Sequence, residues 1–183
     1  MKKTLKPRYR RSDGKDWIEV RVKSPSQLFD ARDPAPFRER DLDDDFIEYV
    51  EASAEELGAK SSLKLVIYIE ESEHSKQIGA DAIKESIHSY YVYRLEMQQK
   101  ALKVYLKRAQ FFLLIGIVLL GLCLTLAGQL NGPLKEGVVI FGWVSMWKPI
   151  EALLYDWLPI YQKLRLLRRL AMSEVQIHFN PKD

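Results

Sequence analysis

The chain has 183 residues, with 28 Lys and Arg against 25 Asp and Glu and one cysteine. That length excludes a large two-domain enzyme, and a single cysteine excludes an internal disulfide framework. The net charge is small but unevenly laid out: residues 1–23 carry +6, 24–75 carry −9, 76–110 carry +4 and 111–183 carry +2. This pattern suits contacts between oppositely charged surfaces, or a basic arm on anionic lipid headgroups, better than it suits nucleic acid.

Residues 1–16 are basic and polar without the apolar stretch of a secretory signal, and read as an N-terminal arm that stays on the cytosolic side. The next segment, 17–76, reads as a cytosolic α/β domain. It opens on WIEVRVK, in which Ile18, Val20 and Val22 share one face at a period of two. The linker 24–41, SPSQLFDARDPAPFRERD, has three prolines that favour extended backbone. From 43 to 57, Phe46, Ile47, Val50, Ala54 and Leu57 recur at helical spacing, with acids in the first turn and Gly58 beyond the end. A second alternating run, LKLVIYIE, puts Leu63, Leu65, Ile67 and Ile69 on one face. The result is a β-α-β unit.

A long helix is expected over 77–108, starting at Gln77 or Ile78 and carrying Ile83, Ile87, Tyr91 and Leu95 on one side. Nothing breaks it before the next segment, so a continuous helix of about 50 residues would be about 75 Å long. Residues 109–129, AQFFLLIGIVLLGLCLTLAGQ, are uncharged and match the thickness of a hydrocarbon core. Asn131-Gly132-Pro133 breaks the helix, and 137–158, GVVIFGWVSMWKPIEALLYDWL, returns as a poorer membrane segment. The stretch 109–158 is therefore expected to form a transmembrane hairpin. Residues 159–183 follow as a cytosolic helix and a last strand, EVQIHF, whose Val175, Ile177 and Phe179 need the same sheet for burial. The expected fold class is an α+β membrane protein: a small cytosolic β-α-β sheet domain of three strands, interrupted by a long helix and a two-helix transmembrane hairpin.

Cations flank the hairpin: Lys100, Lys103, Lys107 and Arg108 precede it, and Lys163, Arg165, Arg168 and Arg169 follow it. The intervening loop has only Lys135 beside Glu136. The positive-inside rule then assigns both termini to the cytoplasm, in a multi-pass protein of the cell inner (plasma) membrane. Tyr105, Phe111, Tyr155, Trp157 and Tyr161 cluster near the cytosolic boundary, as interfacial aromatics do.

Inside the second segment, Lys148, Glu151 and Tyr155 lie within roughly 60° of one helix face, and Asp156 lies about 80° to the other side of Lys148. An isolated charge near the bilayer centre costs at least about 2.5 kcal/mol, so Lys148 is expected to pair with Glu151 or to face protein or water. Pro149 removes the hydrogen bond to the Ser145 carbonyl and favours a kink at the same point. One reading is a water-accessible polar seam of Lys148, Glu151, Tyr155 and Asp156. The other is a shorter or tilted span, with Lys148 and Glu151 near the headgroups and Trp143 and Trp147 as belt residues.

The string DPAPFRERDLDDD, with a strand before it and a helix behind it, resembles an uncharacterised family of bacterial two-helix membrane proteins, and KPIEALLYDW and the late strand fit the same resemblance. It implies a topology over most of the chain and carries no chemistry.

Asp41, Asp43 and Asp45 open like a calcium loop, but Phe46 stands where the pattern needs Gly and Ala52 where it needs Glu. His74, His88 and His178 have no ligand spacing, and no P-loop, dinucleotide glycine motif or nucleophile elbow is present. The expectation is a protein without catalytic, cofactor or metal residues. Its partners would be the lipid bilayer, further copies in a homo-oligomer and a cytosolic protein. The expected role is a non-catalytic integral membrane scaffold or sensor. An oligomeric ion channel or membrane-permeabilising effector is the first alternative, and a membrane-bound enzyme acting on lipid headgroups the second.

Overall fold

The computed structural model describes residues 9–36, 40–58, 61–70 and 79–180. In chain order these form β1 (Arg11–Ser12), β2 (Lys15–Val22), a 3-10 turn (Pro25–Leu28), α1 (Asp44–Glu56), β3 (Ser62–Glu70), α2 (Ala80–Ala127), α3 (Pro133–Glu151), a π-helical turn (Ala152–Asp156), α4 (Leu158–Ala171) and β4 (Glu174–Asn180). The chain divides into two compact units, one of Met1–Glu96 with Arg165–Asp183, the other of Met97–Leu164. The fold is mixed α/β with two long apolar helices.

In the first unit the sheet runs β1-β2-β3-β4. β2, β3 and β4 are parallel neighbours, and their register aligns the three apolar faces into rungs: Ile18, Leu65 and Val175; Val20, Ile67 and Ile177; Val22, Ile69 and Phe179. Against these rungs pack Phe46, Ile47, Val50 and Ala54 of α1, Ile83, Ile87 and Tyr91 of α2, and Leu166, Leu167 and Leu170 of α4. One core thus gathers side chains from both ends of the sequence. The alternate faces of the same strands carry polar pairs: Lys64 lies 4.6 Å over the Trp17 ring and Tyr68 stacks on His178 at 5.5 Å.

α1 starts where Asp43 caps it, its carboxylate accepting from the backbone of Asp45 and Phe46. It ends before Gly58, whose φ of 72° is the left-handed conformation glycine adopts cheaply after a helix. The Arg169 guanidinium donates to the carbonyls of Ala54 and Ser61, tying α4 to the last turns of α1 and to the residue before β3.

Two features differ from the sequence reading, and a third expectation falls outside the described residues. The sheet has four strands, not three, because Asp13 (φ 54°) and Gly14 (φ 74°) form a two-residue hairpin turn that folds β1 back onto β2. Residues 11–16 of the N-terminal arm are therefore part of the sheet, and residues 1–8 lie outside the described residues. The proline linker is not simply extended: Ser24 and Gln27 form a capping box around the Pro25–Leu28 turn. A Phe29–Leu42 bridge then closes the loop and sends Leu28, Phe29 and Leu42 into the core. Finally, the expected helix start at Gln77 or Ile78 and His74 lie outside the described residues; α2 is described from Ala80, after Gly79 at φ 73°.

Candidate functional site

In the second unit, residues 97–127 of α2 and the whole of α3 run antiparallel, joined by a turn at Gly132 and Pro133. Gly132 takes φ 72° and Pro133 starts α3, where its missing N–H costs nothing. The buried residues on the α2 side are all small, Ala109, Gly116 and Cys123 at intervals of seven and Ala127 four further on, the spacing of a seam between two closely packed helices. Facing them are Gly142 and Pro149. A Cβ added at Gly142 would stand 2.9 Å from Cys123 Cβ, and one at Gly116 would stand 3.7 Å from the Ser145 carbonyl oxygen. Absence of side chains at these two positions is what allows the approach.

Most large apolar residues of the pair face outward: Phe111, Phe112, Val118, Leu134, Trp143 and Trp147 are exposed, Trp147 to 75%. α2 and the continuous helical stretch Pro133–Ala171 that α3 opens are each long and apolar enough to cross a membrane, and only 17% and 11% of their apolar windows are buried within the fold.

After Pro149 the helix widens into the π turn Ala152–Asp156. A π turn absorbs one extra residue, about 100° of rotation, so Asp156 takes the angular position that Tyr155 would hold in an unbroken α-helix. The polar residues sort accordingly. Lys148 Nζ lies 3.0 Å from Glu151 Oε2 and 3.6 Å from Asp156 Oδ2. The Tyr105 hydroxyl of α2 donates to Asp156 Oδ2 at 3.3 Å. Tyr155 is 64% exposed and stands outside this cluster. Trp157 Nε1 donates to the Leu153 carbonyl at 2.9 Å, occupying an acceptor in the widened turn.

The sequence stripe therefore becomes a cluster of Lys148, Glu151, Asp156 and Tyr105. Tyr105 was legible only as an interfacial aromatic; its pairing with Asp156 depends on the antiparallel register, which a single sequence leaves open. The same register aligns Gly116 with Met146 and Pro149, and Tyr105 with Asp156. Lys148 is thus opposite Ile115, about 10 Å along the axis from the level of Arg108, and its side chain reaches toward Asp156 at the Arg108 end. Tyr105, Arg108, Lys148 and Asp156 stand at one end of a cleft of about 500 Å³ between α2 and α3, whose floor is apolar.

The acidic positions weighed for metal binding do other work: Asp43 caps α1, and among the described residues no group of three or more His, Cys, Asp or Glu could hold an ion. Comparison with protein-family models, with curated proteins and with solved structures returns no match, so the family resemblance carried by DPAPFRERDLDDD and KPIEALLYDW rests on those residues alone.

Proposed function

We propose that this chain is a two-pass membrane scaffold or sensor, in which the apolar pair α2–α3 anchors or oligomerises the protein and the α/β unit offers a cytosolic surface to a protein partner. One observation carries the membrane part: the apolar windows of α2 and of the continuous helical stretch Pro133–Ala171 that α3 opens are only 17% and 11% buried within the fold. A helix in the core of a soluble protein hides its apolar face, whereas here almost all of it is left to the surroundings. The cations at both outer ends of the pair favour cytosolic termini at the plasma (inner) membrane. The partner reading rests on the net −9 of residues 24–75, a charge that draws a basic surface toward it.

Alkaline carbonate extraction of membranes from expressing cells tests the anchor: the protein is expected in the washed membrane pellet and in solution only with detergent. A chain that is monodisperse without any amphiphile would overturn the proposal. A second reading, an oligomeric channel, draws on the exposure of Lys148, Glu151 and Asp156, at 75%, 41% and 35% of their side chains. Charges on an apolar pair are best accommodated against water or another copy. Planar-bilayer recordings decide it, conductance that changes with Lys148→Ala favouring the channel over the scaffold.

A further inference from the structure

The charges around the α2–α3 cleft sum to zero, two cations against two carboxylates, but they are not all paired. Lys148 is shared by Glu151 and Asp156, which leaves one negative charge in excess. Arg108 lines the same cleft and makes no ion pair among the described residues. An excess carboxylate and a free guanidinium thus flank one end of an apolar slot lined by Phe112, Ile115, Gly116 and Leu119. The slot, about 500 Å³, falls in the size range of ligand pockets. It owes its shape to Gly116, which has no side chain to fill it, and to Pro149 with the π turn behind it.

Guanidinium and phosphate are matched in geometry, and a primary ammonium donates up to three hydrogen bonds to carboxylates. An amphiphile whose headgroup bears both charges would satisfy both ends of the rim, while its acyl chain removes the apolar floor from contact with polar groups. We propose that the cleft binds a zwitterionic amino-phospholipid of the phosphatidylethanolamine type, with phosphate on Arg108, ammonium on Asp156 and one acyl chain along Phe112, Ile115 and Leu119. A purely anionic lipid would meet the surplus carboxylate, and a choline headgroup has no N–H to donate. This inference rests on the two-pass membrane reading.

The test is native mass spectrometry of the full chain in detergent, stripped of lipid and titrated with phosphatidylethanolamine, phosphatidylglycerol or phosphatidylcholine. Wild type is expected to bind phosphatidylethanolamine about tenfold more tightly than the other two, the value of one charge-assisted hydrogen bond. Arg108→Gln, at an exposed position that tests no folding contact, should weaken binding of all three lipids by weakening the phosphate contact they share. Asp156→Asn should lower affinity for phosphatidylethanolamine while sparing phosphatidylglycerol, and Ala152→Phe, projecting into the slot, should block all three. Equal affinity for the three lipids, preference for phosphatidylglycerol, unchanged binding in Ala152→Phe, or a dimer that excludes lipid each overturns the site. Those results in a protein that resists carbonate extraction leave the two-pass reading standing, whereas solubility without amphiphile removes both.

Discussion

Replacing Gly142 by alanine tests the close approach of α2 and α3 against an internal control. The new Cβ would lie 2.9 Å from Cys123 Cβ and 3.0 Å from Leu120 Cδ1. Carbon atoms pack at about 3.5–4.0 Å, and Cys123 Cβ is fixed to the backbone, so the helices must separate by roughly 0.5–1 Å. Such overpacking costs about 1–3 kcal/mol. At Gly121 and Gly137, also within the two helices, an added methyl would meet nothing within 4 Å, and alanine there gains helix propensity of up to about 1 kcal/mol. Unfolding of the micelle-bound protein by titrated denaturing detergent, followed by tryptophan fluorescence, should therefore rank Gly142→Ala below Gly121→Ala by about 1–3 kcal/mol. Gly116→Ala should be milder than Gly142→Ala, because the atom it meets at 2.9 Å is Met146 Sδ, on a flexible side chain. In a Cys123→Gly background the penalty at Gly142 should shrink, a coupling between touching sites. Gly142→Ala as stable as Gly121→Ala would refute the packing argument.

Tyr91 is 1% exposed in the core of the α/β unit and its hydroxyl has no hydrogen-bond partner among the described residues. Tyr91→Phe should raise stability by about 1 kcal/mol, whereas Tyr91→Ala should lower it by about 3–5 kcal/mol, both read from chemical denaturation; a Phe variant weaker than wild type would contradict the orphan hydroxyl. A hydrogen bond from Lys15, at 2.6 Å, holds the Glu174 carboxyl below the usual carboxylate range, with Gln176 adding to it. Because the folded pKa is depressed, the contribution is fully present above the unfolded value of about 4.3 and is lost as pH falls through the folded value. Glu174→Gln should thus be less stable than wild type near neutral pH and equal to it in strong acid. A gap that persists at low pH would assign the role to packing instead.

The parts legible in the sequence are those fixed by local periodicity. Ile18, Leu65 and Val175 each announced a strand face by alternation, and the register only had to align them. Asp43 and Gly58 bracketed α1 because capping and left-handed backbone are local matters. The Asp13-Gly14 turn was equally readable from its dipeptide, yet the basic charge around it reads as a solvated arm. At the candidate site, Pro149 marked the disturbance but not its consequence. An α-helical wheel kept Tyr155 beside Lys148 and set Asp156 about 80° to the other side of the same seam; the π turn brings Asp156 to Lys148 and leaves Tyr155 outside, and sequence spacing alone has no sign of the extra residue. Tyr105 and Arg108 enter through α2, so only the pairing of two distant segments brings them to the cleft.

The place of the helical pair in the chain also governs the order of assembly. Everything between β3 and β4 must be synthesised before the sheet can acquire its last strand: Lys15 and Glu174, which meet at 2.6 Å, are 159 positions apart, and Arg169 and Ser61 are 108 apart. During that interval the outer edge of β3 has no β4, and the apolar rungs lack Val175, Ile177 and Phe179. Closing so long a loop is entropically slow, and an open strand edge invites wrong pairings. Completion of the sheet is therefore a late event on the nascent polypeptide, open to it only once the whole apolar pair has been synthesised.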